Sequence, residues 1–387
     1  MTSAGRIKQV ETLCLGTKWK DFSFVRIHTD EGLAGVGDIT HSTRREQVCQ
    51  AVEQIGARYI LGADPFNVEA IGHRVLHGDG FIGGDIGGIA LSGIDQALYD
   101  LLGQALGVPV YRLIGGACRS HLPVYANGWY GVPREPRSFA NRACEVVEQG
   151  YRALKFDPFG TAVGELALDQ RSQAIALVEA VRDAIGPDVE LFIEGHGRFV
   201  LHEAVRIAVE LERFDAGWFE EPLPPTQIKQ YAQVKARTTV PIAGGEHFHN
   251  RYDFKPVFEH DVLHIVQPDV SMAGGFTELR KIAAIADMHG MVVAPHNSNS
   301  PLATTASAHA SFALTNFKIL ETFEYMMEPF VYDALPGALR VKDGAIAMPT
   351  APGIGVQLND DVFEAHPPIG LVWDPIQEGW EKFAGER

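Results

Sequence analysis

Glu194, Glu220, Glu246, Asp269, His296 and Glu321 recur along the chain at intervals of 26, 26, 23, 27 and 25 residues. Each closes a short apolar run: LFIE, GWFE, IAGGE, HIVQPD, VVAPH and KILE. Three glutamates at near-equal spacing offer hard oxygen ligands to a divalent cation such as Mg²⁺, which keeps coordination positions open for a substrate. The Asp and His that follow offer a general base, with a carboxylate holding one ring nitrogen while the other faces the substrate. Taken alone, a strand-end glutamate is more often a solvent-facing ion pair, and a barrel histidine is more often structural. The regular spacing and the flanking segment APHNSNSP favour chemistry here.

An interval of about 25 residues holds one strand and one helix, so the series predicts consecutive βα units of a parallel barrel whose strand C-termini open onto one face. Strands are predicted over 122–127, 153–158, 190–196, 217–222, 241–247, 262–269, 291–298 and 317–323, with amphipathic stretches such as RSQAIALVEAVRDAIG as helices between them. Ahead of the barrel, IKQVETLCLG, FSFVRIHTD and GLAGVGDIT read as strands with a hairpin turn at DEG, followed by helical patterns. The expected organisation is an α+β domain over 1–120, a barrel over 121–330, and a segment over 331–387 that returns to the first domain, with DGAIAMPTAPGIGVQL as its β-rich part. The glycine-rich stretch over 78–88 lacks a preceding strand and the G-x-G-x-x-G order, so a phosphate cradle is not expected.

Side chains two apart share a strand face, which pairs Glu194 with His196 and Lys155 with Asp157 at the barrel mouth. In GWFEEP only one glutamate can point inward, and Glu220 is the candidate ligand. His196 reads either as a second catalytic group or as a residue bonded behind a metal ligand. Lys155 would add positive charge near a substrate carboxylate. Asp157 and Arg198 could read distal hydroxyls, though a Lys155–Asp157 ion pair is an equal reading. His247, beside Glu246, is a further candidate substrate contact. Trp19, flanked by Lys18, Lys20 and Asp21, is expected on an exposed loop that orders over the substrate, the alternative being a core tryptophan.

The formal charge of −16 argues against a phosphate-rich partner such as nucleic acid or an anionic membrane. Cys14, Cys49, Cys118 and Cys144 show no C-x-x-C spacing and read as reduced thiols. No export signal and no apolar run long enough to span a membrane is read, and a cytoplasmic location is expected.

The motifs IDQALYDLLGQALGVPVYRLIGG, EGHGR, FEEP, GGEH, QPDVSMAGG and APHN together resemble the enolase superfamily, mandelate racemase subgroup, over nearly the whole chain. The resemblance implies an α/β fold, a modified TIM-like (β/α)7β barrel with an N-terminal α+β capping domain. It also implies Mg²⁺-assisted removal of the proton α to a carboxylate, with Glu194, Glu220 and Glu246 as ligands, His296 and Asp269 as the base pair, and Glu321 bonded to the enolised carboxylate. Racemases of this subgroup carry K-x-K on the second strand, but here the residues are Lys155-Phe156-Asp157, so racemisation is disfavoured. His196 stands where related sugar-acid dehydratases protonate a departing hydroxyl, and Glu194 stands where Asp is usual. The expected activity is dehydration of a galactonate- or gluconate-type sugar acid. Cycloisomerisation or epimerisation is the alternative enzyme reading, and a non-catalytic sugar-acid sensor is the alternative of another class. A homo-oligomer between dimer and octamer is expected.

Overall fold

A computed structural model of the chain describes residues 4–78 and 84–370. The expectation for the loop over 78–88 therefore falls partly, and that for the segment beyond residue 370 wholly, outside the described residues.

Strands β1 (Ile7–Leu15), β2 (Phe22–Thr29) and β3 (Ala34–Asp38) form an antiparallel sheet in the order β1-β2-β3. The helix Gly84–Leu106 packs on it at unusually close range. A Cβ on Gly35 would stand 2.2 Å from the Ala97 carbonyl oxygen, and one on Gly37 would stand 2.0 Å from that of Gly93, so the A-G-V-G-D sequence of β3 is what admits the helix. Polar residues of the helix motif lock this contact. Gln96 Oε1 accepts the Asp38 N–H and its Nε2 donates to the Val270 carbonyl, while Asp100 accepts the N–H groups of Val36 and Ile354. The capping sheet is thereby tied to the segment that follows Asp269.

The barrel strands are β4 (His121–Ala126), β5 (Ala153–Phe156), β6 (Glu190–Glu194), β7 (Trp218–Glu220), β8 (Ile242–Gly244), β9 (Ile265–Val266), β10 (Val292–Val293) and β11 (Leu320–Thr322). Each is parallel to its sequence neighbours, and β11 returns beside β4. A parallel bridge between Val293 and Phe317 closes the ring. This is the modified barrel with a capping domain that the sequence predicts.

One buried residue from or beside each strand fills the barrel: Tyr125, Ala153, Phe192, Trp218, Ala243, Ile265, Ala294 and Ile319. Large side chains are interspersed with alanines around the layer, and on adjacent strands the Phe192 and Trp218 rings stack at 3.4 Å. Two residues further along each strand, the same inward face carries Asn127, Lys155, Glu194, Glu220, Gly245, Gln267, His296 and Glu321. The apolar layer is thus the floor on which the polar mouth rests.

Beyond residue 330 the β-rich return is much shorter than expected. Among the described residues there only β12 (Ala345–Ala347) forms, and it pairs antiparallel with β4 of the barrel. The glycines and prolines around it support irregular backbone instead. Contact with the N-terminal sheet comes later, where Arg26 bonds Asp360 and the Gly16 N–H meets the His366 carbonyl.

Candidate active site

The barrel mouth and the capping segments enclose a cavity lined by Trp19, Lys20, Lys155, Glu194, His196, Glu246, His247, His296 and Glu321, among others. At its floor, Lys155 Nζ lies 3.0 Å from Glu194, 2.5 Å from Glu220 and 2.9 Å from Glu321. The Lys155–Asp157 ion pair considered from the sequence does not form. Glu220 is fully buried and also accepts bonds from Trp218 Nε1 at 2.9 Å and Gln267 Nε2 at 2.7 Å. Burial and the repulsion of Glu194 push its carboxyl well above the usual range. At Glu194 burial works against charge, but Lys155 and His196 overcome it and hold the carboxyl below that range.

Oxygens of Glu194, Glu220 and Glu246 lie within 4.8 Å of one another. Together with Glu321 they gather four carboxylates at the mouth, where Lys155 is the lysine in direct contact with the floor, a concentration of negative charge a divalent cation would offset. The donor set is all oxygen and suits a hard cation. A second group, Glu221, Glu246 and His247, also converges. It shares Glu246, but Glu221 is already engaged by His247 Nδ1 at 2.9 Å and sits at φ 38 on the strand face opposite Glu220. His247 is half exposed at the rim, and Glu221 raises its ring to about 10.

Two carboxylate–histidine pairs flank this floor. His296 Nδ1–H donates to Asp269 Oδ2 at 2.7 Å, and its Nε2 faces Glu246 and Glu321 at 3.7 and 3.9 Å. Burial lowers the His296 ring, but Glu246, Asp269 and Glu321 outweigh it and bring it to about 9. The other pair forms between adjacent strands β5 and β6: His196 Nδ1–H donates to Asp157 Oδ2 at 2.7 Å. The left-handed backbone of His196, φ 48, turns its N–H onto Glu194 Oε1 at 2.7 Å. Because β6 and β10 stand four strands apart in an eight-strand ring, the two histidines occupy opposite walls.

Asp157 and Arg198 differ from their expected place as readers of distal hydroxyls. Neither lines the cavity; Arg198 Nη2 bonds Asp157 Oδ2 at 2.5 Å, and both stand buried behind His196. Trp19 also differs. It is 6% exposed, stacked on Phe323 at 5.0 Å and edge-on to Phe22, so it forms a fixed wall of the cavity and not an open loop. Lys20 and Asp21 are buried with it. Thr17 Oγ1 fixes the turn by accepting the N–H groups of Trp19 and Lys20 and donating to the Lys20 carbonyl. Lys20 went unrecognised in the sequence because its burial depends on Ser298, 278 residues away.

This barrel and this mouth define an enzyme of the enolase-like class. The chain belongs to the mandelate racemase/muconate lactonizing enzyme family: residues 138–362 match the family described as enolase C-terminal domain-like, and residues 8–115 match the mandelate racemase/muconate lactonizing enzyme N-terminal domain. It is 35% identical over 367 residues to D-gluconate dehydratase of Thermoproteus tenax, covering 93% of this chain and 74% of that one. It is 34% identical over 364 residues to D-galactonate dehydratase of Verminephrobacter eiseniae, covering 92% of each. Its fold superposes on a mandelate racemase/muconate lactonizing enzyme from Jannaschia sp. CCS1 with a TM-score of 0.88 and 31% identity, over 93% of this chain and 97% of that one. No helix among the described residues is long and apolar enough to cross a membrane.

Proposed function

We propose that this enzyme is a Mg²⁺-dependent sugar-acid dehydratase that converts a galactonate- or gluconate-type aldonate into the 2-keto-3-deoxy acid. The observation that carries the reading is the pair of Asp–His couples on opposite walls above the carboxylate floor. The names of the relatives support the same class.

Mg²⁺ at Glu194, Glu220 and Glu246 would supply positive charge to a substrate carboxylate that gains electron density as C2 loses its proton. Lys155 holds that carboxylate at the floor by charge, and Glu321 bonds it only when it carries a proton to donate. His296 Nε2 accepts the C2 proton while Asp269 fixes its ring through Nδ1–H. From the opposite wall His196, held by Asp157, gives a proton to the C3 hydroxyl, which leaves as water. The resulting enol tautomerises to the 2-keto acid. Epimerisation would need a second group returning a proton to the opposite face of C2, and Asp157 stands where racemases of this kind carry that lysine; His196 instead serves the C3 hydroxyl in an elimination.

The test is a screen of aldonates with the purified protein and Mg²⁺, reading 2-keto acid as its semicarbazone. Turnover of a hexonate that stops with EDTA and returns with Mg²⁺ is expected. Full activity in metal-free buffer would remove the cation from the reading, and keto acid from no aldonate would remove dehydration.

A further inference from the structure

Lys20 is a buried lysine that the proton chemistry does not use. It is 3% exposed and lines the cavity from the capping side. Its Nζ donates to the Ser298 carbonyl at 2.8 Å, lies 3.5 Å from Ser42 Oγ, at the outer limit of a hydrogen bond, and sits 4.2 Å from the centre of the Trp19 ring. Among the described residues it forms no ion pair. Asp38, Asp269, Glu246 and Glu321 act on it only at longer range, and burial brings its ammonium down to about 8. An ammonium carries three N–H donors, so one short bond to a carbonyl leaves donor capacity directed at the cavity. Burying a cation without a close counter-charge is costly, and such a group persists where a ligand completes its bonding.

The position of Lys20 says which part of a ligand it meets. Lys155 and the carboxylates occupy the floor, the two histidines occupy the walls, and Lys20 enters from the capping segment between β1 and β2, anchored two residues past His296. A sugar acid with its carboxylate on the floor and C2 and C3 between the histidines extends its remaining carbons toward Lys20, Ser42 and Thr43. Excess acidity around Lys20 disfavours a second carboxylate there and suits a neutral polyol tail.

We infer that Lys20 is a specificity residue whose ammonium donates to a hydroxyl beyond C3 of the substrate, selecting long-chain aldonates over short hydroxy acids. The inference rests on the dehydratase reading above. It adds the recognition of the tail.

The experiment compares wild type with Lys20→Met, which keeps the apolar stem, and with Lys20→Gln. Aldonates of six, five, four and three carbons are assayed for kcat and KM, or for an inhibition constant where turnover is absent. Loss of a hydrogen bond to a charged donor should raise KM for the hexonate roughly 10- to 100-fold with kcat changed less than about threefold. The ratio should fall to about one for the three-carbon acid, which has no hydroxyl beyond C3. The chain length at which it collapses identifies the hydroxyl. An equal loss at every length, a loss mainly in kcat, or no loss in either variant would overturn the inference. If wild type dehydrates no aldonate, the dehydratase reading fails and this inference falls with it; a length-independent effect in an active enzyme removes this inference alone.

Discussion

Replacing Asp157 by Asn should separate the two proton transfers. Three donors converge on this buried carboxylate: the Phe159 N–H on Oδ1 at 2.8 Å, and His196 Nδ1–H and Arg198 Nη2 on Oδ2 at 2.7 and 2.5 Å. Burial opposes charge at Asp157, but Arg198 and His196 outweigh it and hold the carboxyl below its usual range, so the bonds are charge-assisted. An asparagine has one acceptor oxygen, and whichever way it turns, its NH₂ faces at least one donor. Each lost bond to the carboxylate is worth about 1.5–3 kcal/mol. The Arg198 share should appear as lower folding stability, roughly 2–4 kcal/mol, because a buried cation loses its nearest anion. The His196 share should appear in the dehydration rate, roughly 10- to 150-fold at about 1.4 kcal/mol per decade. His296 and Asp269 are untouched on the opposite wall, so exchange of the C2 proton should continue. The assay runs in D₂O, with keto-acid formation followed by absorbance and C2 deuteration of recovered substrate by mass spectrometry. An equal fall in exchange and dehydration, or a wild-type dehydration rate, would refute the assignment of Asp157 as the residue that positions His196.

Glu220→Gln should weaken Mg²⁺ binding, measured by calorimetry without substrate, by more than the roughly 10- to 100-fold typical of changes behind a ligand, whereas Glu221→Gln should stay within that range. The reverse order would move the cation to Glu221, Glu246 and His247. Trp19→Ala should raise KM and also cost about 3–5 kcal/mol in denaturant unfolding, because the ring packs between Phe22 and Phe323; unchanged stability would contradict the packed wall. His309 is buried neutral at about 4, since burial penalises its charge, with Nδ1 accepting the Tyr111 N–H and Nε2–H donating to the Ile354 carbonyl. Its folded value lies below its unfolded one near 6.5, so as pH falls from about 6.5 to 4 only the unfolded state gains a proton. Stability should drop by up to roughly 3 kcal/mol over that window. His309→Gln should flatten the pH dependence by that amount, and an identical slope would show that the residue contributes none of it.

The barrel was legible because a closed parallel sheet imposes one simple pattern, an apolar inward residue followed two places later by a polar one, which every strand but β8 keeps; β8 has Gly245 there and Glu246 one residue later. Phe192 and Glu194, Trp218 and Glu220, and Ala294 and His296 all obey it. Pairings across strands were less visible. Asp157 meets His196 because β5 and β6 set Phe156 beside Ile193, and parity along one strand carries no information about register with the next. Lys20 and Asp21 read as surface charges, since composition cannot reveal that a carbonyl at Ser298 and N–H groups at Ile369 and Gly370 will cover them. The C-terminal return was overread as β-rich, because apolar residues among glycines and prolines pack equally well without a ladder.

The most direct test of the account is a single incubation of the Mg²⁺-loaded enzyme with gluconate and galactonate in D₂O, followed by proton NMR and mass spectrometry. The account expects a 2-keto-3-deoxy acid carrying one deuterium at C3, delivered as the enol tautomerises. Recovery of a C2 epimer carrying one deuterium, with no keto acid, would contradict it.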